Sequence, residues 1–356
     1  MVDQWILKIL LFPVAVLYGI IIAIRNGLYN SGLLRGVTFS IPVISIGNLS
    51  VGGTGKTPHT EYLLRVLHEY IKIGILSRGY RRKTSGYLEI TPFLDATQAG
   101  DEPLQFKRKF PQIPVAVAES RSLAIPLLIR SYPDLQLLLL DDGFQHREVN
   151  AGLNILLTDY NKLYTRDWLL PVGTLREWRN GAKRAEMIIV TKCPIDITEK
   201  EINDITHEVR QGDEQKVFFS HYAYGNPYKM YNAGDRIALH ENLNVLLVTG
   251  IADTSYLMEY LQSKCSEVRQ LEFNDHHQFS DSDIQDIKRN LEDLPSGQQR
   301  IVLTTEKDAM RLDVYRELLQ TLDLPLYLLP VRVVFHGETT ELFDHEIKDW
   351  LLNFKR

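Results

Sequence analysis

From residue 6 to residue 24 the chain carries one charge, Lys8, and one helix-disturbing residue, Pro13. A run with almost no polar face has nothing to offer water. It predicts a membrane-associated hydrophobic helix over residues 1–30 ahead of a soluble body. Its uncharged part, residues 9–24, is short against the ~20 residues of a full span, so a tilted span and a helix dipping into one leaflet are both open, with a buried core helix ranked below them. No small-residue cleavage site follows, which argues against a signal peptide. Arg25 and Arg35 lie just beyond the run and favour holding the body on the cytoplasmic side.

The body alternates short apolar runs with stretches of helical spacing. Residues 42–46, 73–77, 115–118, 135–140, 153–157 and 187–191 read as strands. Runs of this length separated by helical segments predict a parallel sheet buried on both faces. Residues 222–235, with their Gly, Asn and Pro, read as a connection. A second series follows at 244–249, 268–273, 300–305 and 326–334. The expected organisation is α/β: a P-loop NTPase-type parallel-sheet domain over 31–220, a connecting segment over 221–240, and a smaller α/β domain over 241–356.

Composition narrows this picture. A length of 356 residues with 44% hydrophobic content suits two cored domains, and a formal charge of −5 argues against general nucleic-acid binding. Basic residues cluster locally at Arg78/Arg81/Arg82/Lys83, where contact with anionic phosphates or lipid headgroups is favoured over a solvated face, and at Lys107/Arg108/Lys109, where the two readings stand even. The two cysteines, Cys193 and Cys265, lack metal or redox spacing and fit a reducing compartment.

The chemistry centres on Ser50-Val51-Gly52-Gly53-Thr54-Gly55-Lys56-Thr57, between a predicted strand and a predicted helix. In that setting the amides of Gly52, Gly53, Thr54 and Gly55 and the positive end of the helix cradle phosphates. Lys56 reaches the β and γ phosphates, and Thr57 holds Mg²⁺. Pro58 is harmless where amides have no intrahelical partner. These residues predict a nucleoside triphosphate and Mg²⁺ as ligands. The strand over 135–140 ends in Asp141-Asp142, carboxylates suited to Mg²⁺, which project differently on an extended chain and so take different tasks. Gln145 and His146 follow at the sheet's carboxyl edge, where ligands sit. Ser77-Arg78-Gly79-Tyr80 supplies an anion-binding Arg, Gly100-Asp101-Glu102-Pro103 two carboxylates before a helix, and Leu175-Arg176-Glu177 a charged pair. In Asn274-Asp275-His276-His277-Gln278-Phe279 a base, or a His partnered to a carboxylate, fits better than a metal site. Val190-Thr191-Lys192 and Thr304-Thr305-Glu306-Lys307-Asp308 are weak matches to base-recognition motifs that helix-start chemistry explains as well.

Taken in order, these pieces resemble the tetraacyldisaccharide 4′-kinase family, the lipid A 4′-kinases of Gram-negative bacteria. The match runs from the N-terminus to at least residue 310, and departs where the family carries Pro after Leu-Arg-Glu and this chain has Trp178. The resemblance implies transfer of the ATP γ-phosphoryl to the 4′-hydroxyl of an acylated glucosamine disaccharide 1-phosphate, at the cytoplasmic face of the inner membrane. It implies Asp101 as base with His276 as its partner, Asp141 and Asp142 with Thr57 serving Mg²⁺ and the phosphates, and Arg176 and Glu177 lining the site. For Asp101 to serve at neutral pH, burial and the His contact are expected to raise its proton affinity. With His276 in the second domain, closure is expected to assemble the site. A regulatory P-loop ATPase is the rival reading. Its deviant loop would place Lys before Gly52-Gly53, where this chain has Val51. A membrane-tethered scaffold without catalysis would leave Asp101, Asp141, Asp142 and His276 without purpose.

Overall fold

The computed structural model describes residues 4–337 and 339–354. Strands β1 (Val43–Asn48), β2 (Ile73–Ser77), β3 (Leu88–Glu89), β4 (Val115–Val117), β5 (Leu137–Asp141), β6 (Leu153–Asp159), β7 (Met187–Thr191) and β8 (Lys216–Tyr224) come first. The series continues with β9 (Tyr228–Lys229), β10 (Asn232–Arg236), β11 (Leu243–Thr249), β12 (Glu267–Glu272), β13 (Gln299–Thr305), β14 (Leu326–Leu329) and β15 (Val331–Phe335). Two compact units form, one from Met1–Arg78, Ala118–Tyr222 and Val333–Arg356, the other from Gly79–Val117 and Ala223–Arg332.

This division is not the contiguous one drawn from the sequence. Residues 79–117 belong with the second unit and 333–356 with the first, because the chain changes unit four times and no composition shift marks the crossings. The single strand expected over 326–334 is two, β14 and β15, separated at Pro330, which has no N–H to continue a ladder. The expected connection at 222–235 instead contains β9 and β10, an antiparallel pair too short and polar to announce itself.

In the first unit β8, β7, β6, β1, β5 and β2 lie side by side in that order, each neighbouring pair parallel, with β15 beside β8. Every residue of β1, β2, β5 and β7 is buried, which is why these strands read as unbroken apolar runs. In the second unit the order is β10-β9-β14-β13-β11-β12, parallel from β14 to β12. Along β11, Leu246 and Val248 pack into one cluster and Leu243, Val245 and Leu247 into another, so both faces of this strand are covered. β3 and β4, both in this unit, pair antiparallel.

Helix α1 (Gln4–Asn30) contains Pro13; its most apolar 18-residue window has mean hydropathy 2.5, and the stretch Trp5–Asn30 that holds it spans 26 residues. At 1.5 Å per residue this is about 39 Å, longer than a ~30 Å hydrocarbon core. Only 11% of its most apolar window is buried. The helix continues past the apolar run through Arg25 and Asn26, whose side chains turn to the protein: Arg25 donates to the Gln145 carbonyl at 2.6 Å and Asn26 to Glu177 at 3.1 Å. Higher on the helix Trp178 Nε1 donates to the Gly19 carbonyl at 2.8 Å, and a Cβ at Gly19 would stand 2.5 Å from the Trp178 ring. The departure from the family at Trp178 therefore has a local partner, a glycine that lets the indole lie against α1.

Candidate active site

The phosphate loop opens directly from β1 into helix α2 (Lys56–Leu67). Its last turn depends on Gly55, whose φ of 89° is left-handed and whose Cβ would stand 2.3 Å from the Tyr222 hydroxyl. Three contacts hold the loop. Asn48 Nδ2 donates to Thr54 Oγ1 at 2.8 Å, Val51 N donates to the Thr174 carbonyl at 2.8 Å, and Thr191 Oγ1 donates to the Thr54 carbonyl at 3.0 Å. In the first turn, His59 Nδ1 lies 2.7 Å from the Gly55 carbonyl and Nε2 lies 3.0 Å from Ser220 Oγ. A carbonyl only accepts, so Nδ1 carries the proton and the ring is neutral. Burial lowers its pKa to about 4.

Asp141 and Asp142 take different positions, as their adjacency on a strand end required. Asp141 is fully buried and accepts from Ser77 Oγ at 3.3 Å. Asp142 turns out of the strand with φ 50°. It stands 3.7 Å from Lys56 Nζ and accepts from Arg176 NH1 at 3.0 Å. Burial alone would raise the Asp142 pKa; Lys56, Arg176 and Arg121 together bring it down to about 2, so it is a carboxylate at neutral pH. Arg176 arrives there because residues 174–176 pair with the start of the loop: Arg176 N donates to the Leu49 carbonyl at 2.7 Å.

Gln145 bridges these parts. Its Nε2 donates to the Asn48 carbonyl at 2.7 Å and to Glu177 at 3.2 Å, while its Oε1 accepts from Arg176 at 3.3 Å. Glu177 is buried and also accepts from Arg184 at 2.8 and 2.9 Å, which makes it a hub that orients its neighbours. His146 is half-buried and neutral, its pKa lowered to about 4 by burial and by Arg121 and Arg78. Arg121 was not singled out in the sequence. It is fully buried, and its Nε and NH2 make no hydrogen bond. Burial lowers its pKa to about 10, with Asp142, Asp141 and Glu148 opposing. Nothing in its local sequence, Glu119-Ser120-Arg121-Ser122, distinguishes it from a surface helix start.

Thr57, Asp141 and Asp142 offer only hard oxygen donors, the set Mg²⁺ accepts when phosphates and water complete its shell. Among the described residues no group of three His, Cys, Asp or Glu side chains could by itself hold a metal ion.

The second unit contains the other pair. Asp101 starts the helix Asp101–Lys109 after Gly100 and is 5% exposed. His276 Nδ1 lies 3.0 Å from its Oδ2. Lys307 Nζ stands 3.4 Å from His276 Nε2 and donates to Glu102 at 2.9 Å. An ammonium only donates, so Nε2 accepts and Nδ1–H donates to Asp101. Arg311 Nε is 3.6 Å from the same carboxylate oxygen. Here the expectation about Asp101 is overturned. Burial pushes its pKa up, but Lys307, the His276 hydrogen bond and Arg311 outweigh burial and hold it well below the usual carboxylate range. Lys307 and Arg311 lie in and just beyond Thr304-Thr305-Glu306-Lys307-Asp308, which therefore serves a carboxylate cluster. The His276–His277 pair divides its tasks, for His277 bonds Asp283 at 3.0 Å and stacks on Phe273, a structural position. Ser77-Arg78-Gly79-Tyr80 is split between units; Tyr80 packs edge-on against His276.

A glycine-rich loop between a buried parallel strand and a helix, with a lysine and a carboxylate held at its mouth, defines a P-loop nucleotide-binding protein. The model of the tetraacyldisaccharide-1-P 4′-kinase family matches residues 7–349, and the chain belongs to that family. It is similar to the tetraacyldisaccharide 4′-kinase of Phocaeicola vulgatus, with 41% identity over 98% of this chain and 95% of the relative. Identity to that of Flavobacterium psychrophilum is 44% over 96% of each. Among solved structures it resembles the "apo" form of LpxK from Aquifex aeolicus in complex with ATP, with TM-score 0.72 and 28% identity over 97% of this chain and 99% of that one. The protein is an ATP-dependent kinase that phosphorylates the 4′ position of tetraacyldisaccharide 1-phosphate in lipid A biosynthesis.

Proposed function

We propose that the work of this kinase is divided between its units, the first gripping the donor and the second receiving the acceptor's proton. The amides of Gly52, Gly53, Thr54 and Gly55 take the phosphates of ATP, and Lys56 neutralises the oxygens of the transferring group. Mg²⁺, when bound by Thr57, Asp141 and Asp142, supplies the further positive charge that phosphoryl transfer needs. Arg176 sets the Asp142 carboxylate against Lys56, Gln145 holds Arg176 and is itself held by Glu177, and Arg78 and neutral His146 line the anionic substrate's side.

The oxygen of the 4′-hydroxyl bonds to the γ-phosphorus as the bond to the β–γ bridging oxygen breaks, and ADP leaves with that electron pair. Asp101 accepts the hydroxyl's hydrogen bond and then its proton, with His276 orienting the carboxylate. A carboxylate whose proton affinity is held down by Lys307 and Arg311 is a weak base. The transfer is therefore late, once bonding to phosphorus has acidified the alcohol. The 3.0 Å contact between Asp101 and His276 carries this reading.

The apolar face of α1 fits anchorage in the inner membrane, with Arg25 and Arg35 favouring the cytoplasmic side, where a membrane-borne acylated disaccharide would be met. Label from γ-labelled ATP should enter the acylated disaccharide 1-phosphate in detergent with Mg²⁺, and only with Lys56 intact. Free phosphate released without regard to the lipid would overturn the assignment.

A further inference from the structure

The phosphoryl chemistry leaves one buried charged cluster of the first unit unused. Thr191 ends β7, two strands from β1, and Lys192 follows it. Thr191 is fully buried, and its hydroxyl is spent on the Thr54 carbonyl of the phosphate loop at 3.0 Å, fixing this segment against the loop's last turn. Lys192 is 8% exposed and its Nζ lies 2.8 Å from Asp159 Oδ2 at the end of β6. The chain passes through Lys192 with φ 57°, a conformation uncommon for a residue with a side chain. Asp142 and His276 share that left-handed geometry, so strain of this kind recurs at this protein's functional residues. A buried ammonium–carboxylate pair is poor evidence of a stabilising purpose, since apolar residues fill such space as well.

The direction of the nucleotide gives the pair a purpose. Lys56 meets Asp142, which follows β5 on one side of β1, so the γ end of the triphosphate points that way. An extended nucleotide must then carry its nucleoside over the other side of β1, above β6 and β7, where Asp159 and Lys192 stand. We propose that Lys192 is a nucleoside-binding residue: its four-carbon stem lies against the face of the base, and Asp159 fixes its ammonium so that the stem stays in place. The residue acts on nucleotide affinity and leaves the phosphoryl step alone.

The test measures binding without acceptor lipid, so it stands or falls apart from the roles given to Asp101 and His276. Calorimetry in detergent with Mg²⁺ would compare ATP with inorganic tripolyphosphate, which has the phosphates and no nucleoside. Lys192→Ala should weaken ATP about tenfold, in the range of one stacked base, while tripolyphosphate binds as before. Lys192→Arg, which keeps a long stem, should recover most of the loss. Since Lys192→Ala alone strands the Asp159 charge, the pair Asp159→Asn with Lys192→Ala removes the stem in a site free of buried charge and should favour tripolyphosphate over ATP relative to the parent. Equal weakening of ATP and tripolyphosphate would show that Lys192 reads phosphate and would overturn the proposal. So would ATP affinity unchanged in the double variant.

Discussion

If Asp101 and His276 act as one device, removing both should cost little more than removing the more important one. Asp101→Asn keeps the shape of the side chain and abolishes its charge. General-base contributions of about 10²–10⁴ in rate correspond to roughly 3–5 kcal/mol of transition-state stabilisation. We expect a loss of about 10³ for Asp101→Asn and about 10² for His276→Ala, whose imidazole orients the carboxylate from 3.0 Å. Acting in series, the double variant should stand near 10³; independent contributions would multiply to about 10⁵.

Folding should survive the substitutions. Without the Asp101 charge, Lys307 keeps Glu102 at 2.9 Å and Arg311 keeps Asp308, so neither cation is orphaned. The stability loss should therefore fall below the about 3–5 kcal/mol of a buried ion pair cut in half. The assay is label transfer from ATP to the acylated disaccharide at saturating Mg²⁺, with ATP affinity measured alongside. That affinity should not move, because the phosphate loop lies in the other unit. Multiplicative losses would refute the dyad, and an Asp101→Asn enzyme within threefold of the parent would refute Asp101 as the base.

Other outcomes follow from the same geometry. Lys307→Met removes the largest influence holding the Asp101 carboxyl down, so its pKa should rise and the acidic limb of kcat/KM should move to higher pH; a limb left in place would show that another group titrates there. His59 is neutral when folded, with a pKa near 4 against 6.5 for a free imidazole. Below pH 6.5 only the unfolded chain takes up that proton, so stability should fall by on the order of 3 kcal/mol between pH 6.5 and 4 and level off below. In denaturant titrations His59→Gln should remove most of that slope; an unchanged slope would assign it elsewhere. Leu17 and Ile24 are exposed on α1, and replacing both with Ser should weaken sedimentation with anionic vesicles by tenfold or more while transfer in detergent persists. Equal sedimentation would place the membrane contact elsewhere.

Much of the fold was legible because burial on both faces leaves a plain mark. Strands β2 and β7 fall where unbroken apolar runs put them, and the glycines and Lys56 place the loop without help from tertiary structure. The unit boundaries were not legible, since a crossing such as Arg78 to Gly79 occurs inside a motif that reads as one piece. The proton affinity of Asp101 was misjudged for a related reason. Its burial was foreseeable, yet the cations that reverse the effect of burial, Lys307 and Arg311, lie some two hundred residues along the chain.

What the sequence hides most completely is backbone geometry at residues other than glycine. Asp142, Lys192 and His276 all sit at positive φ, beyond the carboxyl ends of parallel strands or in the loop that follows one. At those ends the chain must leave the sheet sharply while still presenting a chosen side chain at the edge where ligands bind. Glycine would turn more cheaply but carries no carboxylate, ammonium or imidazole. In each case a residue that turns less cheaply than glycine is kept and neighbours hold it there: Lys56 and Arg176 for Asp142, Asp159 for Lys192, Asp101 for His276. Arg81, also at positive φ, belongs to the same scheme, since it donates to the His276 carbonyl at 2.9 Å and braces the turn that delivers the imidazole to Asp101.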